Sequence, residues 1–157
     1  MSKKVIITCP IGIEYKKAIN TFKPCESSYK FCKYSFVFKY SDKEYHVLKC
    51  GAGRKRAAGM INRASLLLQP DLIIDTGSCG GLIPGAGIAD IIIGDRCIDL
   101  VDKEARSTVI HGGITPNSID ISRFSDIPYE NGNIHIGMQI CVDHAVICEN
   151  ERNILFN

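Results

Sequence analysis

An apolar run that ends in closely spaced glycines, at residues 71–81, constrains the fold of this chain more than any other stretch. Residues 72–74 read Leu-Ile-Ile, which is typical of a strand covered on both faces. The glycines that follow let the backbone turn sharply and let another group approach closely: Gly77, Gly80 and Gly81. Because open α/β sheets bind ligands beyond the carboxyl ends of their strands, this loop, with the Ser78 hydroxyl inside it, is a candidate ligand site. By spacing alone, a plain strand-to-turn junction explains the pattern equally well.

The pattern of apolar and polar residues along the rest of the chain predicts an α/β domain. Strands are predicted over residues 4–8, 34–40, 44–50, 91–98 and 132–141. Helices are predicted over residues 13–22, 54–68 and 143–155, the last of them capped by Asp143. The Ser-Asp-Lys at 41–43 favours a hairpin, and the polar stretch at 103–133 predicts a long surface loop.

The helix predicted over residues 54–68 has two contrasting faces. Apolar or small residues recur at helical spacing and indicate a buried face: Ala57, Ala58, Ile61, Ala64, Ser65 and Leu68. Its basic residues are interpreted as a solvated face rather than an anion site: Arg54, Lys55, Arg56 and Arg63. The glycines before this helix do not form a dinucleotide-binding fingerprint, because Arg56 occupies the third glycine position.

Composition and charge argue against several classes of function. The hydrophobic content of 45% and charged content of 23% suit one domain, residues 1–157, with a real core. A net charge of +2 gives no argument for a nucleic-acid partner. No apolar run approaches the roughly 20 residues of a membrane helix. Eight cysteines are scattered without a C-x-x-C pair, so we expect no metal, reduced thiols and a cytoplasmic location.

The glycine loop and its surroundings resemble one known family. Residues 76–82 read Thr-Gly-Ser-Cys-Gly-Gly-Leu, and a Pro-Gly pair and the run Ile-Ala-Asp-Ile-Ile-Ile at 88–93 follow. This segment resembles the purine nucleoside phosphorylase/nucleosidase superfamily, and within it the methylthioadenosine/S-adenosylhomocysteine nucleosidases. Ala89 stands where that family prefers glycine. The resemblance implies a three-layer α/β sandwich, with a central mixed, largely parallel sheet flanked by helices.

The resemblance also implies roles for individual residues. Glu14 stands where the family has the base that activates the attacking water, and Ser78 would orient that water or the substrate. The implied substrate-binding residues are Gly53, Thr76, Gly77, Gly80, Gly81 and Ile140. Ile140 takes the place of an aromatic residue that stacks on the purine. Glu14 also has an ordinary explanation, because the helix dipole favours a carboxylate in the first turn of a helix.

Acidic residues at two positions favour water over phosphate as the nucleophile. Phosphorolytic relatives hold phosphate with an Arg two positions before the Gly-Ser-Cys-Gly loop, where this chain has Asp75. They hold it with a second Arg after their first strand, in the region where this chain has Glu14. Because carboxylates repel phosphate, we expect a hydrolase of methylthioadenosine, S-adenosylhomocysteine or a related small-molecule nucleoside that needs no cofactor.

The family's proton donor and ribose-binding residues lie beyond the position at which this sequence ends, Asn157. We therefore expect the 157-residue chain to be a poor catalyst. The alternative function is a catalytically inactive nucleoside-binding or structural remnant of the same fold. An uncovered strand at a sheet edge pairs readily with another chain, so we also expect a homodimer or another homo-oligomer.

Overall fold

The computed structural model describes residues 2–25, 32–99, 129–130, 132–141 and 149–150, and the chain divides into two units, Met1–Cys79 and Gly80–Asn157. The first unit contains β1 (Lys3–Cys9), α1 (Gly12–Phe22), β2 (Ser35–Tyr40), β3 (Lys43–Lys49), α2 (Arg54–Leu68) and β4 (Leu72–Asp75). The second unit contains β5 (Ile91–Asp99) and β6 (Ile134–Cys141). The predicted strands and the first two helices are confirmed, with ends that differ by at most two residues.

Some predictions fall on parts of the chain that the structure does not describe. Of the predicted last helix, only Glu149 and Asn150 are described, and both are helical. The cap Asp143 and most of the surface loop at 103–133 lie outside the described residues. None of the described helices combines the length and the apolar character that a membrane crossing requires. The expectation of one domain over residues 1–157 stays a prediction.

The sheet of the first unit has the strand order β2-β3-β1-β4. β1 runs parallel to both of its neighbours, β3 and β4, whereas β2 pairs antiparallel with β3 through the predicted hairpin. Parallel strands end at the same edge of a sheet, so one edge carries the last residues of β1, β3 and β4, which are Cys9, Lys49 and Asp75. The segments that follow β1, β3 and β4 therefore begin side by side.

Two apolar clusters lie on opposite faces of this sheet. Successive residues of a strand point to opposite faces, and Val47 and Leu48 accordingly belong to different clusters. Tyr15 of α1 packs in one cluster, which consists of Cys9, Tyr15, Phe36, Phe38 and Val47. Ala64 of α2 packs in the other, which consists of Ile6, Leu48 and Ala64. One helix thus covers each face of the sheet.

Two predictions about burial are wrong. Residues 72–74 form a strand as predicted, but Leu72 is 52% exposed and Ile74 38% exposed, because β4 lies at the edge of the four-stranded sheet. In α2, Ala58 is exposed, because at 100° per residue it lies about 120° around the helix from the buried Ala64. Arg54 is half-buried, whereas the other three basic residues of that helix are exposed as predicted.

The second unit is organised by the carboxylate of Asp90, just before β5. Asp90 accepts hydrogen bonds from the backbone N–H of Gly87 and of Asn133, each at 2.8 Å, and from His135 Nε2 at 2.8 Å. The pKa of Asp90 lies far below its usual range, mainly because of the hydrogen bond from the Asn133 N–H. The bonds from the Gly87 N–H and from His135 lower it further. These bonds tie the start of β5 to its parallel neighbour β6.

Ala89 adopts a backbone conformation that explains why glycine is preferred at its position. Its φ is 74°, in the left-handed region that is strained for a residue with a Cβ. The Tyr129 hydroxyl donates a hydrogen bond to the Ala89 carbonyl and holds this turn from outside. The departure from glycine at this position therefore has a conformational cost.

Candidate functional site

The predicted site residues of the first unit lie at the carboxyl edge of its sheet. Glu14 lies in the first turn of α1, shortly after β1, and the segment 76–79 follows β4. Because β1 and β4 are adjacent and parallel, two segments that are distant in the sequence start next to each other. The structure brings the two residues predicted to be catalytic, Glu14 and Ser78, into direct contact.

Glu14 stabilises the start of its own helix. The backbone N–H of Ile11, the residue before α1, donates to Glu14 Oε2 at 3.0 Å. The apolar side chain of Ile11 cannot return a hydrogen bond, so this is one half of a capping box. The ordinary explanation of Glu14, a carboxylate at a helix N-terminus, is therefore correct for one of its two oxygens.

The other oxygen of Glu14 binds the glycine loop. Glu14 Oε1 accepts the backbone N–H of Ser78 at 2.7 Å and the Ser78 hydroxyl at 3.0 Å. The carboxylate, which is half-buried, thus accepts three hydrogen bonds from protein donors. An ionised carboxylate has about four acceptor positions, so one remains for an external donor such as water.

Gly77 allows the glycine loop to approach Glu14 closely. A Cβ at this position would lie 3.0 Å from Pro10 Cγ, 3.4 Å from Pro10 Cδ and 3.6 Å from Glu14 Oε1. Its φ is not in the left-handed region, so close packing rather than a special backbone angle requires glycine here. Gly77 thus packs against the β1–α1 connection, and the contact with substrate that the resemblance implied stays a prediction.

Thr76 and Asp75 are held by Thr8 of β1, which is fully buried. The backbone N–H of Thr76 donates to the Thr8 carbonyl at 3.2 Å, and the Thr76 hydroxyl donates to the same oxygen at 2.6 Å. The Thr8 hydroxyl donates to Asp75 Oδ1. Nothing in the sequence pattern singles out Thr8, because its partners become known only from the register of β1 with β4, in which Thr8 is opposite Asp75.

Two buried thiols lie beside this edge and respond to its negative charge. Burial raises the pKa of Cys9, and the charges of Glu14 and Asp75 raise it further. Burial also raises the pKa of Cys50, followed by the charge of Asp75. Both residues are therefore neutral thiols at pH 7, in an environment that disfavours a further anion.

The remaining predicted site residues lie elsewhere along the chain. Gly53 precedes α2 with a φ of 91°, and a Cβ there would meet nothing within 4 Å, so its backbone conformation is what favours glycine. Three predicted residues belong to the second unit. A Cβ at Gly80 would meet nothing within 4 Å, whereas a Cβ at Gly81 would lie only 2.6 Å from Ala86 Cβ. Ile140 is half-buried on β6.

No metal cluster is present in the part of the chain that the structure describes, where no three His, Cys, Asp or Glu side chains are placed to hold an ion. The side chains of five of the eight cysteines are described, and these five are free thiols: Cys9, Cys25, Cys32, Cys50 and Cys79. Their free state agrees with reduced cysteines, and the state of all eight stays a prediction.

Comparison with known protein families matches residues 4–146 to the family described as the Phosphorylase superfamily. One curated relative is a 5'-methylthioadenosine/S-adenosylhomocysteine nucleosidase of Listeria welshimeri, 36% identical over 61 residues. Another, with the same name and from Haemophilus influenzae, is 38% identical over 61 residues. Each match covers 39% of this chain and about a quarter of the relative, 26% and 27% respectively.

Solved structures with the same fold include nucleosidases of this type. The enzyme of Neisseria meningitidis, in complex with methylthio-immucillin-A, has a TM-score of 0.76 and 19% identity, over 98% of this chain and 70% of that one. A futalosine hydrolase mutant of Helicobacter pylori has a TM-score of 0.69 and 16% identity, over 98% of this chain and 74% of that one. The likeness confirms the predicted α/β fold, a mixed sheet flanked by helices.

Proposed function

The chain belongs to the phosphorylase superfamily, and on that basis we propose that it hydrolyses the N-glycosidic bond of a purine nucleoside of the methylthioadenosine or S-adenosylhomocysteine type. The relatives named above support the substrate class, since two of them are nucleosidases for these compounds. The single observation that supports the chemistry is the contact of Glu14 with Ser78. No cofactor is needed for this reaction.

In the proposed mechanism, Glu14 is the general base. Water attacks the anomeric carbon while the bond to the purine breaks, and the bonding electron pair leaves with the purine. Glu14 takes a proton from the attacking water through its remaining acceptor position, and a proton that solvent supplies to N7 makes the purine a better leaving group. Ser78 orients Glu14 Oε1 with two hydrogen bonds, so the base is pre-aligned before the substrate arrives.

The charges at the sheet edge favour water over phosphate. Asp75 and Glu14 both raise the pKa of Cys9, which means that their negative charges reach the same small region. A phosphate dianion would be repelled there, whereas neutral water would not. One basic residue, Lys49, lies beside the start of α1, with its Nζ 3.5 Å from the Cβ position of Gly12. The same Nζ lies 5.1 Å from the centre of the Tyr34 ring, in a cation–π contact.

The test is release of free purine from methylthioadenosine with and without phosphate, by the parent chain and by Glu14→Gln. We expect release without phosphate, and a loss of about 10²–10⁴-fold in Glu14→Gln, the usual contribution of a general base. Glu44→Gln is the matched control, because the Glu44 carboxylate contacts His46 in the β2–β3 hairpin. Release that requires phosphate would contradict hydrolysis, and full activity of Glu14→Gln would contradict the assigned base.

A second candidate function is nucleoside binding without turnover. The observation that favours it is that three of the acceptor positions of Glu14 are occupied by protein donors, as expected of a purely structural clamp. Titration calorimetry with methylthioadenosine separates the two functions. Binding with no purine released over hours would support the second candidate, and release at a steady rate would exclude it.

We also propose a homodimer in the cytoplasm and a single domain that includes both units. Leu66 and Leu67 of α2 are 81% and 66% exposed, an unusual exposure for adjacent leucines. Light scattering after gel filtration should give the dimer mass for the parent chain and the monomer mass for Leu66→Glu, with Lys16→Glu on α1 as control. The family match at residues 4–146 spans both units, so a single cooperative unfolding transition is expected.

A further inference from the structure

Four consecutive residues that lead from β4 into the glycine loop lie against the β1–α1 segment, three of them through hydrogen bonds and Gly77 through close packing. In order outward from the strand, the pairs are Thr8 with Asp75, Thr8 with Thr76, Pro10 with Gly77 and Glu14 with Ser78. The first two pairs lie where β1 is buried, and the last is the proposed catalytic contact. The position of Ser78 is therefore set by contacts that start two residues earlier in the loop.

The hydroxyl of Thr76 has a defined donor direction. A threonine hydroxyl has one proton, and the 2.6 Å contact directs it at the Thr8 carbonyl oxygen. Cys9 Sγ lies 3.9 Å from the same hydroxyl oxygen. With the proton of Thr76 already used, the Cys9 thiol must be the donor in this second contact, in agreement with its protonated state at pH 7. The hydroxyl is thus engaged on both sides within the protein.

We propose that Thr76 is a positioning residue that sets the place at which Ser78 binds Glu14. The inference rests on the proposed function, and it differs from the substrate-binding role that the resemblance implied for Thr76. A hydroxyl whose only proton is directed at Thr8 has none to donate to a nucleoside. Without this bond, the loop would be attached to β1 at this point by the backbone bond of 3.2 Å, and the Ser78 contact would lose alignment.

The variants Thr76→Val and Thr76→Ser test this role in the full chain. Valine keeps the shape and removes the hydroxyl, whereas serine restores the hydroxyl. We expect kcat of Thr76→Val to fall about 10- to 100-fold with KM nearly unchanged, because misplacement near the reacting atoms by about 1 Å costs about 10²-fold. Thr76→Ser should recover most of the rate. A rise in KM with unchanged kcat would overturn the inference and support substrate binding.

A second measurement does not depend on turnover. The Ser78 amide donates to Glu14 Oε1 at 2.7 Å, so its hydrogen exchange reports the contact directly. We expect faster exchange at Ser78 in Thr76→Val and the parent rate in Thr76→Ser. The matched control is Thr21→Val, which removes a hydroxyl that donates to the Lys17 carbonyl at 3.0 Å on α1. Unchanged Ser78 exchange in Thr76→Val would overturn the inference, whether or not the chain releases purine. Failure of the parent chain to release purine would contradict the proposed function alone.

Discussion

Replacing Gly77 with alanine tests how closely the glycine loop must approach the start of α1. The new Cβ would lie 3.0 Å from Pro10 Cγ, whereas carbon atoms in contact prefer about 3.5–4.0 Å. The proline ring is closed on its own backbone, so Cγ can yield only by a change of ring pucker. We therefore expect the loop to take up most of the displacement of about 0.5 Å that restores an ordinary carbon–carbon separation.

This displacement has two measurable consequences. Overpacking of this kind costs roughly 1–3 kcal/mol of unfolding free energy. The bond from the Ser78 hydroxyl to Glu14 Oε1 starts at 3.0 Å and would reach about 3.5 Å, beyond the normal range of such bonds. If misplacement by about 1 Å costs about 10²-fold in rate, half that displacement costs roughly tenfold. We expect Gly77→Ala to lose both stability and activity by these amounts.

The assay combines urea unfolding with the rate of purine release, and Gly59→Ala is the control. Gly59 lies inside α2 with nothing within 4 Å of its Cβ position, so alanine there should raise the unfolding free energy by about 1 kcal/mol through helix propensity. The two glycine substitutions thus have opposite expected signs. A Gly77→Ala variant with the parent's urea midpoint and the parent's rate would refute the argument from close packing.

Three further predictions concern the strained turn, Asp90 and the cysteines. Ala89→Gly should stabilise the chain by about 1 kcal/mol in urea unfolding, because it relieves a positive φ, whereas Ala52→Gly should not stabilise it. The pKa of Asp90 is lowered on folding, mainly by the Asn133 N–H. The ionised Asp90 carboxylate therefore contributes fully to the unfolding free energy above the ordinary carboxyl pKa of about 4, and this contribution is lost as the pH falls below that value. The difference in unfolding free energy between the parent and Asp90→Asn should therefore shrink from pH 6 to pH 3, and a constant difference would contradict the assignment. Thiol titration in denaturant should find all eight cysteines free, and quantitative disulfides in fresh protein would contradict this.

Local signals in the sequence were sufficient for most elements of the fold. The predicted helix at 54–68 has the observed bounds of α2, because Gly53 precedes it with a φ of 91° and Gln69 ends it with a φ of 48°. The hairpin of β2 and β3 was also predicted, since its strands are adjacent in the chain. Burial was predicted less well. The apolar composition of residues 72–74 indicated a covered strand, but exposure depends on neighbours, and β4 lies at an edge.

The motif in the sequence determined which side chains to consider, and only the tertiary structure decided what each of them contacts. Glu14 and Ser78 could be proposed from residue types in a recognisable order, because reaction chemistry requires particular functional groups. Their contact spans 64 positions of the chain and exists because β1 and β4 are parallel neighbours. Thr8 and Pro10 have no distinguishing sequence signal, since a buried threonine and a proline after a strand are common. Their importance follows from strand register, which is a property of the folded sheet and not of any one segment.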